Sequence, residues 1–438
     1  MRVAAKMGRG VMDEAQGHEF SFAHGERTDD VSRRSLLKGA SLAALSAAIG
    51  AAIPFGRFMP DGYVPVALAQ EANLDFPGKS PELVVLGDKP LVAETPAHLL
   101  DDDVTPTEVH YIRNNGQIPE LPADPDAWEI TIDGEVGSQL TLTLGELKNR
   151  FENVTHQLVL ECGGNGRSQF VPAARGNPWT TGGVGCARWT GVRLKDVLEA
   201  AGPKPSAIYT AHYGADPHLS GDPEKQALSR GIRIEKAMEP HTLIAFGMNG
   251  EPLPAIHGAP VRLLVPGWSG SASQKWLTRV QLRDVEHDGQ GMKGTSYRVP
   301  VAPIVPGTDH KGEGFRILES MPVKSLITSP ADGTRLPAGT HELDVRGHAW
   351  AGDLTVQDVF VSIDFGQTWQ KAELKAPANP YAWQRWSTEV ALPTEGYYEI
   401  WARAVDSEGK SQPFTAPNWN PGGYGGNAYH RIAILIEA

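Results

Sequence analysis

Short apolar runs that stop at glycine or proline recur along this chain, and they limit how long its helices and strands can be. The chain has 48 Gly and 34 Pro among 438 residues, and both residue types interrupt regular elements. Such frequent glycines and prolines disfavour a helical bundle. Because 40% of the residues are hydrophobic, the chain can bury a large core, which a disordered protein cannot do. We therefore predict a folded protein of short elements joined by many loops.

The first part of the chain mixes strand signals with helix signals. Residues 129–142 alternate as two short strands that run into a helix. A second helix is predicted over residues 194–201, and Gly202 ends it. These signals predict an α+β domain over residues 70–322. Its first segment, residues 70–105, contains proline and is predicted to be irregular.

Beyond Val323 the signals change to strands at short spacing. Residues 359–363 form an apolar run before an Asp-Phe-Gly turn, and residues 398–405 form a longer run of the same kind. This spacing predicts an all-β, immunoglobulin-like sandwich over residues 323–438. The sandwich would have no internal disulfide, because both cysteines of the chain precede it.

The first 69 residues have the order of features found in an export signal. Arg33 and Arg34 precede a weakly apolar stretch over residues 39–53, and a small-x-small cleavage pattern ends at Ala69. We interpret residues 1–69 as a twin-arginine signal peptide. The alternative is an amphipathic helix with a chance arginine pair. Since the twin-arginine route exports folded proteins, the signal predicts a periplasmic protein with a complex cofactor.

The charge balance disfavours two classes of partner. Removing residues 1–69 leaves 32 Lys and Arg against 45 Asp and Glu, a net charge of −13. An acidic chain of this kind lacks the basic surface that nucleic acid requires. The sequence also has no run of 18 apolar residues without charge, so we predict no membrane span in the mature chain.

Two cysteines restrict the metal chemistry. Cys162 and Cys186 are the only cysteines in the sequence, so neither an iron–sulfur set nor a c-type haem attachment can be built. A disulfide between them is one interpretation for an exported protein. Cys162, however, follows an apolar strand and opens a glycine-rich turn, where the backbone can approach a bulky group. Arg167 nearby favours a thiolate, so we predict that Cys162 binds a metal and Cys186 is a small buried residue.

Four separated blocks of the sequence carry a resemblance to a known family. In chain order they are residues 110–119 with Arg113-Asn114-Asn115, the Cys162 loop with Arg175-Gly176-Asn177-Pro178-Trp179 and residues 187–194, residues 248–276 with His257 and Ser273-Gln274-Lys275, and residues 347–420 with Asp364-Phe365-Gly366-Gln367-Thr368-Trp369. Together these blocks resemble the sulfite oxidase family of molybdenum enzymes. The resemblance extends across most of the chain after the signal.

The resemblance implies a molybdenum cofactor, in which a pterin dithiolene carries the metal and Cys162 is the protein ligand. Positions that hold this cofactor in the family are matched by Arg113, Asn114, Asn115, Cys162, His257, Arg262, Ser273, Gln274 and Lys275. Arg262 can bind a phosphate through two parallel hydrogen bonds, and Lys275 can act as a point charge. Taken singly, Arg262 and Lys275 could also be surface charges, and His257 could be an ordinary turn histidine.

The same resemblance implies a site for a small sulfur oxyanion. Positions in or near the family's substrate pocket are matched by Arg113, Arg167, Arg175, Trp179 and Tyr297. The Tyr297 hydroxyl can hydrogen-bond substrate and relay a proton, the alternative being a core tyrosine. Two residues depart from members found in animals and plants: Asn115 replaces a histidine, and Gly422 stands where those members have an arginine.

The implied function is the periplasmic oxidation of sulfite to sulfate. Because the chain has no haem motif of its own, electrons would pass to an external c-type cytochrome, which an acidic surface can attract. The family also implies a homodimer formed through residues 323–438. The alternative is a related molybdenum oxidoreductase that acts on another sulfur oxyanion or reduces an S- or N-oxide. A non-enzymatic binding module is disfavoured by the intact Cys162.

Overall fold

A computed structural model describes residues 76–308 and 310–438, all of which belong to one compact unit. The predicted signal peptide lies outside the described residues. Among the helices within these ranges, none combines the length and the apolar character needed to cross a bilayer.

Strands dominate the first part of the described chain. In chain order they are β1 (Val84–Asp88), β2 (Leu91–Glu94), β3 (Ile112–Arg113), β4 (Glu129–Gly134), β5 (Leu140–Thr143), β6 (Asn153–Glu161), β7 (Val184–Arg193), β8 (Tyr209–Gly214), β9 (Gly231–Arg233), β10 (Leu243–Met248), β11 (Glu251–Pro252), β12 (Arg262–Leu264), β13 (Leu277–Arg283), β14 (Arg298–Pro300) and β15 (Phe315–Ile317). The α-helices are α1 (Leu144–Arg150), α2 (Leu194–Ala201) and α3 (Ile234–Ala237). Short 3-10 turns lie at Ala97–Leu100, Pro125–Ala127, Arg167–Gln169, Ala255–His257 and Gly270–Ala272.

Local sequence explains where the two longer helices begin and end. Helix α1 starts with a capping box, in which the Thr143 hydroxyl accepts from the Glu146 N–H and the Glu146 carboxylate accepts from the Thr143 N–H. Helix α2 ends at Gly202, whose φ of 68° is a left-handed conformation that glycine adopts without steric cost. Both predicted helices are confirmed, as are the two strands before α1.

Two sheets form the body of this first part. One has the strand order β11-β10-β7-β6, with β12 also paired to β10, and the other has the order β5-β4-β13-β8-β9. Strands β6 and β7 pair over nine residues of β6. Helices and sheets share a core that includes Ile132, Leu147, Val197, Leu263 and Val280. The long β6–β7 ladder ends directly before Cys162, so a rigid sheet positions that residue.

The segment predicted to be irregular contains regular structure, so that prediction is wrong in part. Strands β1 and β2 pair with each other, and β2 continues to β3. Strand β3 is only two residues long, and residues 95–111 separate it from β2. A strand of two residues shows no periodicity, and its pairing with β2 across the intervening segment cannot be read from local sequence. Strands β1 and β2 form a hairpin of neighbouring segments, with Asp88 opposite Leu91, which the sequence analysis did not identify.

The second part of the described chain is all β. Its strands are β16 (Lys324–Ser329), β17 (Thr334–Leu336), β18 (Glu342–Trp350), β19 (Val356–Ser362), β20 (Gln370–Lys371), β21 (Glu373–Leu374), β22 (Gln384–Ala391), β23 (Gly396–Asp406) and β24 (His430–Ile436). They form two sheets, β16-β18-β22-β21 and β17-β24-β23-β19-β20, around a core that includes Val345, Val359, Trp386 and Ile434. The predicted α+β part followed by a two-sheet sandwich is confirmed.

Buried charges connect the two parts at a junction beside β6. The Glu161 carboxylate, 2% exposed, accepts hydrogen bonds from Lys324 Nζ and from Trp350 Nε1, the latter at 2.8 Å. Nearby, Lys236 Nζ donates to an Asp353 carboxylate oxygen at 2.7 Å. Each of these two lysines therefore has a carboxylate partner in the other part of the chain.

Candidate active site

A cavity of about 600 Å³ lies in the first part of the molecule. Its lining brings together nine of the predicted site residues: Arg113, Asn115, Cys162, His257, Arg262, Ser273, Gln274, Lys275 and Tyr297. These residues come from strand ends and loops that are far apart in the chain. The fold therefore collects most of the predicted set at one place.

Cys162 begins the turn that follows β6. Its N–H donates to the Gly183 carbonyl at 2.8 Å, and the residue is 8% exposed. The next residue must be small, because a Cβ at Gly163 would lie 2.5 Å from Ser269 Oγ. The turn thus holds Cys162 in a fixed position on the cavity wall.

Cys186 has a different environment. It lies on β7 and is fully buried, and burial raises the pKa of its thiol to about 12. A thiol that stays protonated is a poor metal ligand. Both cysteines are free, so the structure does not contain the disulfide considered above, and Cys162 is the cysteine that lines the cavity.

Basic side chains crowd the cavity. Arg262, 2% exposed, donates from Nη1 to the His257 carbonyl at 2.8 Å and from Nη2 to the Ser273 carbonyl at 3.1 Å. Lys275 Nζ donates to Asn114 Oδ1 at 2.5 Å. Asn114 is buried behind the lining and contacts the site through Lys275.

The pKa values of these groups reflect the crowding. Burial lowers the pKa of Lys275 well below its usual range, and the neighbouring Arg262 and Arg113 lower it further. Burial lowers the pKa of Arg262 to about 10. Burial, and then Lys79, lower the pKa of His257 well below its usual range. Cations that disfavour one another in a buried space form a site that an anion would stabilise.

The sequence analysis missed three residues at or near the cavity. Asp216 lines it, and burial raises the pKa of its carboxyl to about 7. Lys79 Nζ lies 3.0 Å from His257 Nε2, and burial lowers the pKa of Lys79 to about 7. Arg230 packs against Tyr297. No local motif marks these residues, and Lys79 falls in the segment that was predicted to be irregular.

Tyr297 and Asn115 form a pair on the cavity wall. The Tyr297 hydroxyl donates to Asn115 Oδ1 at 3.3 Å. Tyr297 has a φ of 48°, which is uncommon for a residue other than glycine. Its ring stacks on that of Tyr424 with 5.0 Å between centroids. The hydroxyl is therefore held at the cavity by an unusual backbone conformation and by ring packing.

Arg167, Arg175 and Trp179 do not line the cavity. Arg167 Nε donates to the Gly422 carbonyl at 2.7 Å, so its guanidinium ties the Cys162 loop to a loop of the second part. Trp179 is fully buried and packs edge-on against Tyr111, which does line the cavity. The Arg175 side chain is exposed. These three residues surround the cavity wall rather than form it.

Comparison with known proteins identifies the family. Residues 115–291 match the family described as oxidoreductase molybdopterin binding domain, and residues 316–437 match the Mo-co oxidoreductase dimerisation domain. The mitochondrial sulfite oxidase of Macaca fascicularis is 35% identical over 395 residues, covering 87% of this chain and 71% of that protein. The chain belongs to the sulfite oxidase family. It is a molybdenum oxidoreductase, as the resemblance predicted.

Other similar proteins include a second sulfite oxidase and two proteins named for different activities. The sulfite oxidase of Gallus gallus is 34% identical and covers 86% of this chain and 83% of that protein. Nitrate reductase [NADH] 1 of Oryza sativa subsp. japonica is 31% identical, over 82% of this chain and 41% of that protein. The solved structure of the sulfane dehydrogenase SoxCD from Paracoccus pantotrophus has a TM-score of 0.66 and 26% identity, covering 84% of this chain and 89% of that one.

The residues present fit the molybdenum cofactor of the sulfite oxidase family. Within residues 76–308 and 310–438, no group of three or more His, Cys, Asp or Glu side chains is arranged to hold a metal ion, whereas Cys162 offers one thiol to a metal already bound by a dithiolene. Some buried polar atoms have no partner in these same residues, among them His110 Nε2, Asn114 Nδ2 and Gln274 Oε1. Because such atoms are rarely left unpaired, they fit the polar edges of a pterin, and the cations fit its phosphate.

Proposed function

We propose that this chain oxidises sulfite to sulfate in the periplasm and passes the electrons to an external c-type cytochrome. In this reaction sulfite and water give sulfate, two protons and two electrons. The observation that carries the proposal is a cavity that holds a single thiol, Cys162, together with several cations and the Tyr297 hydroxyl. The sulfite oxidases of macaque and chicken support sulfite as the substrate.

When bound, the molybdenum cofactor supplies oxygen-atom transfer and takes up two electrons. In our proposal the Cys162 thiolate holds the metal. The side chains that hold the pterin and its phosphate are Arg113, Asn114, Asn115, His257, Arg262, Ser273, Gln274 and Lys275. Two observations support these roles. Asn114 Nδ2 and Gln274 Oε1 are buried without a hydrogen-bond partner among the described residues, and Lys275 is buried beside other cations.

Substrate binding is assigned to residues on and behind the cavity wall. Arg113 lines the cavity and would donate charge-assisted hydrogen bonds to a sulfite oxygen. Tyr297 would bind substrate through Oη and move a proton at that atom. Arg167 would fix the Cys162 loop, Trp179 would keep water out from behind Tyr111, and Arg175 would add positive charge near the site.

We also propose periplasmic location and an external electron acceptor. The twin-arginine pattern at Arg33 and Arg34 supports export, and the net charge of −13 after residue 69 supports docking of a basic cytochrome. Changing both arginines to lysine should leave active, cofactor-loaded enzyme in the cytoplasm. Undiminished periplasmic activity in that double variant would show that another signal is used.

We propose that residues 70–322 form the cofactor domain and that residues 323–438 form the contact of a homodimer. The matched dimerisation family supports the dimer. In the loops that follow β19 and β23, Phe365 is 58% exposed and Phe414 is 49% exposed, and both pack against Trp401 of β23. Exposed aromatic surface of this kind is typical of interfaces. Phe365→Ser combined with Phe414→Ser should yield a monomer by light scattering.

A paired cysteine experiment tests the function. Cys162→Ser should abolish sulfite-dependent reduction of cytochrome c while the chain stays folded, because the thiolate ligand is lost. Cys186→Ser should leave both the activity and the molybdenum content, measured by elemental analysis, close to those of the unmodified protein. Full activity in Cys162→Ser would contradict the proposed cofactor geometry.

A second candidate is action on another sulfur oxyanion, or reduction of an S- or N-oxide. Position 422 is a glycine that contributes only its carbonyl, to Arg167, and the relatives include proteins named nitrate reductase and sulfane dehydrogenase. Arg113→Gln separates the two candidates. If sulfite is the substrate, its KM should rise roughly ten- to a hundredfold, the effect of losing one charge-assisted hydrogen bond. Unchanged sulfite kinetics with impaired S-oxide turnover would favour the second candidate.

A further inference from the structure

Within the part of the chain that the structure describes, Arg230 is a buried cation without an acidic partner. It directly precedes β9 and its exposed fraction is 0%. Its Nη1 donates to the Gly291 carbonyl at 2.8 Å, whereas Nε and Nη2 have no hydrogen-bond partner among the residues that the structure describes. The ionisable groups that act on it most are Tyr209, Tyr297, Tyr424 and Arg298. None of these groups carries a negative charge at neutral pH.

The guanidinium lies one aromatic ring away from the cavity. Arg230 Cζ is 4.8 Å from the centroid of the Tyr297 ring, and Tyr297 lines the cavity. Tyr424 stacks on the same ring. Arg230 therefore holds the tyrosine through a cation–π contact, and because it is fully buried, solvent screens its charge less than it would at the surface.

We propose that Arg230 is a positioning residue that holds Tyr297 and gives the cavity its preference for dianions. A buried unpaired charge is unfavourable, and an anion in the cavity relieves this cost without touching Arg230. The Coulomb energy is proportional to the charge of the ligand. A dianion such as sulfite or sulfate therefore gains twice as much free energy from Arg230 as a monoanion at the same place. The inference rests on the proposed function only in taking a sulfur oxyanion as the ligand.

Anion binding by the holoenzyme tests this inference. The probes are sulfate, a dianion, and methanesulfonate, a monoanion with the same three-oxygen face, each titrated by calorimetry. Arg230→Gln removes the charge but can still donate to the Gly291 carbonyl. We expect it to weaken sulfate binding by about tenfold and methanesulfonate binding by about threefold, because the free-energy loss scales with ligand charge. Arg230→Met repeats the neutralisation if the glutamine variant does not fold.

Two further variants separate charge from packing. Arg230→Lys keeps the charge and should restore the ratio of the two affinities to within about twofold, although kcat should fall because an ammonium does not stack on the ring as a guanidinium does. Arg233→Gln is the matched control, since Arg233 lies on β9, is exposed and is already paired with Glu319 at 2.7 Å. It should leave the ratio unchanged.

Equal weakening of both anions by Arg230→Gln, or no weakening of either, would overturn the inference. So would an affinity ratio in Arg230→Lys that matches the one in Arg230→Gln. None of these probes is oxidised, so the outcome does not depend on sulfite turnover. Failure of the proposed function would instead appear as absence of sulfite-dependent cytochrome reduction in the unmodified enzyme.

Discussion

Buried cations lie both in the candidate cofactor cavity and at the junction between the two parts, but the groups that they contact differ. At the junction Lys324 has Glu161, and Lys236 has Asp353. In the cavity, Lys275 donates only to neutral oxygens among the described residues, and Arg262 and Arg113 lower its pKa more than Asp216 raises it. Asp216 is the one carboxyl in the lining within residues 76–308 and 310–438, and burial raises its pKa to about 7.

The difference shows how to distinguish structural charges from functional ones. A buried cation that already has a carboxylate contributes to the fold, and removing one partner destabilises the protein. A buried cation without a carboxylate destabilises the protein when no anion is bound, and it stabilises the complex when an anion binds beside it. Neutralising mutations at the junction should therefore lower the stability of the fold, whereas those in the cavity should mainly lower the affinity for the cofactor.

The largest expected effect is at the junction. Glu161→Gln leaves Lys324, which is 5% exposed, buried without a counter-ion, and should lower the free energy of unfolding by about 3–5 kcal/mol. Adding Lys324→Met should recover most of this loss, because the second change removes the stranded charge. Urea denaturation of the two variants provides the measurement. A loss below about 1 kcal/mol in Glu161→Gln would remove the distinction between the two regions.

Neutralising a cavity cation should weaken the cofactor and spare the fold. Lys275→Met should lower retention of the molybdenum cofactor by roughly ten- to a hundredfold, corresponding to one charge-assisted contact of about 1.5–3 kcal/mol. The cofactor-free chain should lose less than about 1 kcal/mol, since burial disfavours the Lys275 charge. Elemental analysis after gel filtration gives the first quantity and denaturation gives the second. Full molybdenum content with a destabilised chain would place Lys275 among the structural cations.

The stability of the cofactor-free chain should depend on pH through Lys79. Burial lowers the pKa of Lys79 from 10.5 to about 7, so between these values the unfolded chain carries a proton that the folded chain has lost. Stability should therefore rise with pH in this window, by on the order of 1 kcal/mol per pH unit. Lys79→Met should remove this slope. Denaturation of both proteins at about pH 7.5 and pH 9.5 provides the comparison.

The smallest effect is expected at an exposed ion pair. Lys148 and Asp126 lie 2.5 Å apart, but their side chains are 32% and 52% exposed. Asp126→Asn should change the free energy of unfolding by about 0.5 kcal/mol or less, because solvent screens the pair. A loss as large as that of Glu161→Gln would mean that burial does not control these energies.

Local sequence predicted those parts of the fold whose signals are themselves local. Helix α2 was placed at both ends because an amphipathic run meets Gly202, which stops a helix by its own conformation. Strands β19 and β23 were found from their apolar runs. Strands β1 to β3 were not. Strands β1 and β2 have five and four residues, too few for a clear period, and the two-residue β3 pairs with β2 across a long intervening segment.

The candidate site divides in the same way. Residues within the motif blocks, such as Cys162 and Lys275, were brought to the cavity as predicted. Lys79, Asp216 and Arg230 were missed, because their importance comes only from what lies next to them in space. Arg167 lies outside the cavity lining, and its guanidinium donates to the Gly422 carbonyl of a remote loop, a partner that spacing alone cannot reveal.

The junction limits how this protein can be recombined with its relatives. The Glu161 carboxylate, directly before Cys162, accepts hydrogen bonds from Lys324 and Trp350, which belong to the second part of the chain. A chimera that joins this first part to the second part of another family member would keep this contact only if that second part supplies a lysine and a tryptophan at the positions of Lys324 and Trp350. The two parts are separate folds, but a substitution on one side of the junction alters the environment of a buried charge on the other side.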